Sequence, residues 1–210
     1  MKPRARGKLV AVEGVDGAGK STFVRGLADA LRKDGYTVSL WREPTDSAIS
    51  ARAIAAGTDQ PWTAALFFTL DRAHARPALE RLLDRSDLVL SDRSFYSTLA
   101  YQGSRFPPRD RPGLAALERA VAHLPDRVVW LRISPSVALR RVRTRGKPPA
   151  PLERIRTLRG VARTYGRLAR APGWIVVDAL QPVDALVADV RRHLAPLLSR
   201  LRPRARRPRR

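Results

Sequence analysis

Apolar residues fall along the chain in short groups that alternate between strand-like runs and helical spacing. Leu9 to Glu13 (LVAVE) is a continuous apolar run that ends in a glycine-rich turn, after which Phe23, Leu27, Ala30 and Leu31 recur at helical spacing. This predicts strand, loop, helix. Gly35 is placed as the helix C-cap, and Tyr36 to Trp41 (YTVSLW), Leu88 to Ser91, Val128 to Ile133 and Trp174 to Val177 supply four more β-rich runs. Between them, Pro61 to Leu83, Gly113 to His123, Ser136 to Arg145 and Leu152 to Ala169 read as helices, and Val183, Leu186, Val187, Val190, Leu194 and Leu197 mark a last one. Five strands alternating with helices predict a three-layer α/β domain around a five-stranded parallel sheet, because parallel crossovers put helices on both faces. In such sheets ligands sit beyond the carboxyl ends of the strands, so the chemistry is expected just after Glu13, Trp41 and Ser91.

Composition narrows the function. In 210 residues there is no cysteine, which removes disulfides, thiolate catalysis and thiolate metal sites, so any metal must take oxygen ligands. No run reaches the eighteen or so apolar residues of a membrane span, and MKPRARGK leads into the first strand without an apolar leader, so a cytoplasmic protein is expected. The formal charge is +22 at pH 7. Residues 199–210 (SRLRPRARRPRR) and the first eight residues hold eleven of the basic groups, yet the body between them remains strongly positive. Such a field favours polyanions, and nucleotides qualify as well as nucleic acid does. A single domain over residues 1–198 followed by a basic, disordered tail over 199–210 is the expected organisation.

The first strand runs into Gly14, Val15, Asp16, Gly17, Ala18, Gly19, Lys20 and Ser21, followed by Thr22, a match to G-x-x-x-x-G-K-[ST] between a strand and a helix. Glycines let successive backbone N–H groups curl around a β-phosphate, and the helix N-terminus adds its positive end. Lys20 would bridge the β- and γ-phosphates and Ser21 would ligate Mg²⁺. A nucleoside triphosphate, ATP as co-substrate, is implied. The acceptor of its phosphoryl group must be read elsewhere.

Four blocks carry a resemblance: VEGVDGAGKST at Val12 to Thr22, REP at Arg42 to Pro44, Phe68 followed by DRAH at Asp71 to His74, and SDRSFYSTLAYQG at Ser91 to Gly103. In order and spacing they resemble the thymidylate kinases, from Lys8 to about Gln102. The resemblance implies a P-loop kinase fold with a short lid and transfer of the γ-phosphoryl group of ATP to dTMP. It makes Asp16 the acceptor for the deoxyribose 3′-hydroxyl and sets Glu43 near metal-bound water and the acceptor phosphate. Phe68 stacks on the base, Arg72 contacts it, and Arg93 clamps the 5′-phosphate. A planar guanidinium suits a phosphate bidentately. Ser97, Thr98, Tyr101 and Gln102 resemble the helix face over the nucleoside, with Tyr101 excluding a ribose 2′-hydroxyl. Asp92, at a strand end, is assigned to the Mg²⁺ shell beside Ser21. His74 is given a structural or cleft role, and His123 and His193 none. A homodimer is likewise only what the resemblance implies.

Some thymidylate kinases carry a catalytic arginine inside the phosphate loop, where this chain has Gly17. The compensating charge is therefore assigned to a lid at about residues 141–152 (RVRTRGKPPAPL), with Arg141 and Arg145 as the candidate catalytic groups beside Lys20 and Arg93. Gly146 and the prolines that follow rule out a continuous helix there. Three positions depart from the pattern: Ser94 in place of an aromatic residue, Thr45-Asp46-Ser47 in place of a glycine-rich stretch, and Arg132 at a strand position often acidic. A broader monophosphate kinase taking dUMP and dTMP therefore stays open, as does a nucleic-acid-stimulated P-loop ATPase that would use the basic surface and tail.

Overall fold

The chain was analysed as a computed structural model, which describes residues 7–45, 47–56, 59–144 and 154–201. Five strands, β1 (Lys8–Glu13), β2 (Val38–Arg42), β3 (Leu88–Asp92), β4 (Arg127–Arg132) and β5 (Trp174–Asp178), form one sheet in the order β2-β3-β1-β4-β5, and every pairing is parallel. The helices are α1 (Lys20–Lys33), α2 (Ala48–Ala56), α3 (Pro61–Arg85), α4 (Phe95–Tyr101), α5 (Arg111–Val121), α6 (Pro135–Arg143), α7 (Ile155–Leu168) and α8 (Val183–Leu198), with short 3₁₀ turns at Gly103–Arg105 and Pro108–Asp110. Among the described residues, no helix is long and apolar enough to cross a membrane.

Position in the sheet explains the strand sequences. The inner strands β1 and β3 are covered on both faces, so LVAVE and LVLSD carry no polar alternation. The outer strand β5 alternates buried Ile175 and Val177 with exposed Val176 and Asp178. On one face Val10, Val12, Leu88, Leu90, Val129 and Leu131 meet Phe23, Leu27 and Leu31 of α1 and Val190 and Leu194 of α8. On the other, Leu9 and Val89 pack on Leu79 and Leu83 of α3, and the Trp130 ring lies 6.2 Å from that of Tyr165 on α7. This is the expected three-layer α/β arrangement.

The strand order places the site. After β1 the chain moves toward one edge of the sheet, and after β3 it returns across β1 to the other. The loops leaving these two neighbours therefore diverge, α1 to one face and α4 to the other, and open a crevice between them. Val12 is paired with Asp92, and Arg42 with Asp92, so three loops start at one level.

Element limits differ from the sequence expectations by a few residues. β2 begins at Val38 rather than Tyr36, because the Tyr36 N–H is taken by the Leu31 carbonyl (3.1 Å) while Gly35, at φ 92°, closes α1. α3 continues to Arg85 through Pro77, and α5 starts two residues before Gly113. Helix α2 was not anticipated, since AISARAIAA has little sidedness. Of the lid, only residues up to Thr144 are described. Arg145, Gly146 and the proline run lie outside the described residues, as do the tail from Arg202 and Asp46.

The start of α6 rests directly on the phosphate loop. A Cβ at Gly17 would meet the Ala138 carbonyl oxygen at 2.3 Å, and the residue has φ +87°. No side chain fits there, so an arginine at this loop position is incompatible with the observed packing. Gly17→Ala is expected to destabilise the fold by about 2 kcal/mol or more, combining left-handed backbone strain with displacement of α6. Chemical denaturation, with the midpoint falling at constant m, checks this.

Candidate active site

The loop after β1 is held ready for a polyanion. The Lys20 ammonium, itself buried, donates to the carbonyls of Gly14 (3.0 Å) and Val15 (3.1 Å) and lies 3.9 Å from Asp16 Oδ1. Burial, helped by the nearby Arg93 charge, lowers its pKa to about 8. A triphosphate in the loop would give this ammonium better acceptors than two carbonyls. At the next residue, the Ser21 hydroxyl donates to Asp92 Oδ2 at 2.5 Å. Hydroxyl and carboxylate come from opposite walls of the crevice and offer hard oxygen donors. No group of three metal-ligating side chains occurs among the described residues. That donor set fits Mg²⁺, which keeps several waters and takes its remaining ligands from substrate phosphates.

Arg93 follows Asp92 in a left-handed conformation, φ 76°, with its N–H on the Val12 carbonyl (3.0 Å). This turn aims the guanidinium back across the crevice. It donates to Asp16 and to Ser97 Oγ (3.1 Å), and its centre stands 5.2 Å from the Tyr101 ring centroid. Tyr101 donates its hydroxyl to the other Asp16 oxygen (2.8 Å) and accepts the Asp16 N–H (2.9 Å). Burial opposes the Arg93 charge, but Asp16 and Glu13 outweigh it and hold the pKa well above its ordinary value.

Behind this pair lies a fully buried carboxylate absent from the sequence assignments. Glu13, the last residue of β1, accepts from Ser94 Oγ (2.7 Å), Ser97 Oγ (2.8 Å) and the Tyr165 hydroxyl (2.7 Å). Burial raises its pKa, opposed by those hydrogen bonds and by Arg93. Ser94 also caps α4 by accepting from the Tyr96 N–H. An aromatic residue at this position could do neither.

Phe68 and Arg72 enter from α3. The buried Arg72 guanidinium donates from Nε to Glu43 Oε2 (2.8 Å), from Nη1 to Glu118 Oε2 (2.5 Å) and from Nη2 to Thr98 Oγ1 (3.3 Å). The Glu43 carboxylate thus faces Arg72, and the Glu43-Pro44 peptide is cis. Asp71 accepts the Thr45 N–H (2.9 Å) and the hydroxyls of Thr45 and Ser47 (2.5 Å each), which ties the loop after β2 to α3. Glycines in place of Thr45 and Ser47 could not supply those two donors.

The structure brings Asp16, Glu43, Phe68, Arg72, Arg93, Ser97, Thr98, Tyr101 and Gln102 around one cavity of about 480 Å³. The phosphate loop adjoins it through Asp16. His74, by contrast, sits on the exposed side of α3, outside the cavity lining, so it takes no cleft role. Arg141 is exposed on α6 and donates to the Ala179 carbonyl (3.2 Å), one turn beyond the helix start that covers Gly17. Sequence reasoning passed over Glu13, Asp71, Glu118 and Tyr165. Asp71 stood inside a quoted motif and Glu13 was a carboxylate closing an apolar strand, whereas Glu118 carried no signal.

A phosphate loop at the centre of a β2-β3-β1-β4-β5 sheet, beside a half-open cavity lined by apolar and charged side chains with a guanidinium among them, defines a P-loop kinase for a small acceptor. The thymidylate kinase family model matches residues 12–190. The chain is 33% identical to a probable thymidylate kinase of Archaeoglobus fulgidus over 91% of this chain and 96% of that protein. It is 37% identical to a thymidylate kinase of Verminephrobacter eiseniae (83% and 85% covered) and 35% to one of Paracidovorax citrulli (88% and 91%). The chain belongs to the thymidylate kinase family.

The cavity's polar end yields a stability test. Arg72→Met removes the cation that pairs with Glu43 and Glu118, and breaking such a buried pair is expected to cost about 3–5 kcal/mol at neutral pH. Burial already raises the Glu118 pKa against the pull of Arg72 and Thr69, and removing Arg72 raises it further. The folded variant then binds more protons than the unfolded chain, so its deficit is expected to shrink as pH falls toward about 4, measured by denaturation over a pH series.

Proposed function

We propose that the chain transfers the γ-phosphoryl group of ATP to dTMP, giving dTDP and ADP. One observation carries this reading: Asp16 touches both Lys20 of the phosphate loop (3.9 Å) and Arg93 at the mouth of the acceptor cavity. The two phosphate-binding cations therefore stand on either side of a single carboxylate, with room for a donor on one side and an acceptor on the other. Family membership supports the choice of dTMP.

Backbone N–H groups of Gly14 to Ser21 cradle the β-phosphate, and Lys20 leaves its two carbonyls for the β- and γ-oxygens. Arg93 gives up Asp16 in part and takes the 5′-phosphate of dTMP, which frees an Asp16 oxygen for the deoxyribose 3′-hydroxyl. Phe68 stacks on thymine, gaining offset-stacking and apolar burial together. Tyr101, fixed by its two hydrogen bonds to Asp16, fills the space near C2′ and disfavours a ribose. Ser21 and Asp92 would hold Mg²⁺, which would offset the negative charge of the phosphates when bound. Phosphoryl transfer spreads charge over the γ-oxygens, so positioned cations supply most of the stabilisation. Arg141 is assigned to that task with Arg145 of the lid, turning from the Ala179 carbonyl when ATP is present.

The exposed Trp62, Leu66 and Leu70 recur one turn apart on α3. We assign this apolar strip to the contact between two copies of a cytoplasmic homodimer. Sedimentation equilibrium is expected to give twice the chain mass, and Leu66→Glu with Leu70→Glu to give the monomer.

Three outcomes test the catalytic reading. In a coupled assay of ADP release over the common monophosphates, dTMP is expected to give the highest kcat/KM, and equal turnover of UMP would contradict the role of Tyr101. Arg93→Lys is expected to raise KM for dTMP by about tenfold or more, since lysine cannot copy a bidentate clamp. Because Lys20 must be charged to hold phosphates, the Kd of ATP for the free enzyme is expected to rise above pH 8, by up to tenfold per pH unit. Calorimetric titration between pH 7 and 9.5 measures it.

A further inference from the structure

Glu118 is fully buried on α5 and does not line the acceptor cavity. Its two oxygens are nonetheless spent on residues of α3 at the cavity's deep end: Oε2 accepts from Arg72 Nη1 at 2.5 Å, and Oε1 lies 2.8 Å from the Thr69 hydroxyl. Arg72 is held a second time along its opposite edge, where Nε and Nη2 both stand 2.8 Å from Glu43 Oε2. One anchored edge leaves a guanidinium free to swing with its long side chain. Two anchors, at Nη1 and at the Nε–Nη2 edge, fix the plane; the second Nη2 N–H reaches Thr98 Oγ1 (3.3 Å) in the cavity lining, and it and the second Nη1 N–H are the donors left for a ligand. Those donors can meet only an acceptor atom, since a guanidinium has no lone pair to offer. A ring carbonyl satisfies them, and an exocyclic amino group at the same place leaves two donors opposed.

We propose that Glu118 is a positioning residue of the acceptor site: by fixing Arg72 from behind, it sets the preference for a keto over an amino pyrimidine monophosphate. This rests on the reading of the cavity as the dTMP site. Glu118 touches no substrate and acts through Arg72, so its removal should loosen acceptor recognition and leave the donor side alone.

The test compares wild type with Glu118→Gln on dTMP and on 5-methyl-dCMP, which differ in a keto or amino group at C4 and in the proton on the adjoining N3. The variant is expected to show a KM for dTMP raised about tenfold, the size of effect one charge-assisted hydrogen bond produces. Its preference for dTMP over 5-methyl-dCMP should fall by a similar factor, with kcat and KM for ATP within about twofold. An unchanged dTMP KM and unchanged preference would overturn the proposal, as would equal losses toward both acceptors and ATP, the mark of general loosening. Should the glutamine variant fail to fold, Glu118→Asp, which keeps the charge but draws it back from Arg72, is read by the same two ratios. A wild-type protein inactive on dTMP would overturn the reading of the site itself, whereas an active wild type with an indifferent variant would overturn only the role of Glu118.

Discussion

The contact between Arg93 and Asp16 is the joint on which this molecule is organised. One partner leaves β3 and the other sits in the loop after β1, so the ion pair fastens the two sides of the crevice that the parallel sheet opens at its centre. Every neighbour reinforces it. Tyr101 grips Asp16 from α4, Ser97 receives Arg93, and Glu13 stands behind both with Tyr165 of α7 attached. Four elements thus converge on one half-buried charge pair, and Arg93 accepts a left-handed backbone to reach it. Such strain persists where the surroundings over-determine a residue, and it concentrates at functional sites.

Charge is graded along the crevice. At the phosphate end lie Lys20 and Arg93 with Asp16 between them, while away from it the guanidinium of Arg72 is enclosed by Glu43 and Glu118. On the proposed reading the phosphate end draws a polyanion, and the base end takes a neutral ring by directed hydrogen bonds and the Phe68 face. Buried carboxylates of this kind gain little stability. Their value lies in fixed orientation, which catalysis by positioning requires.

Much of this was legible in the sequence. Five apolar runs alternating with helical spacing pointed to the parallel sheet, and glycine spacing before Lys20 located the phosphate loop. The four spaced motifs gathered the nine acceptor-side residues that line the cavity. What stayed hidden has a common cause. Glu118 and Tyr165 lie on helices remote in sequence, and only tertiary packing brings them to Arg72 and Glu13. A glutamate in an arginine-rich amphipathic helix reads as a solvated charge until its neighbours are known. The short helix α2 escaped because its nine residues hold too little periodicity. Ser94, Thr45 and Ser47, which depart from the family pattern, turned out to be bonded within the site's own framework, to Glu13 and Asp71.

The central claim is that one carboxylate separates two phosphate sites that a reacting pair of nucleotides would occupy together. A crystal structure with ADP, Mg²⁺, aluminium fluoride and dTMP tests it most directly. The account requires Lys20 on the fluoride group, Arg93 on the dTMP phosphate, and the attacking oxygen in line within about 3–3.5 Å of the aluminium. Nucleotides seated with Arg93 still turned wholly to Asp16, or with dTMP outside the cavity around Phe68 and Arg72, would contradict it.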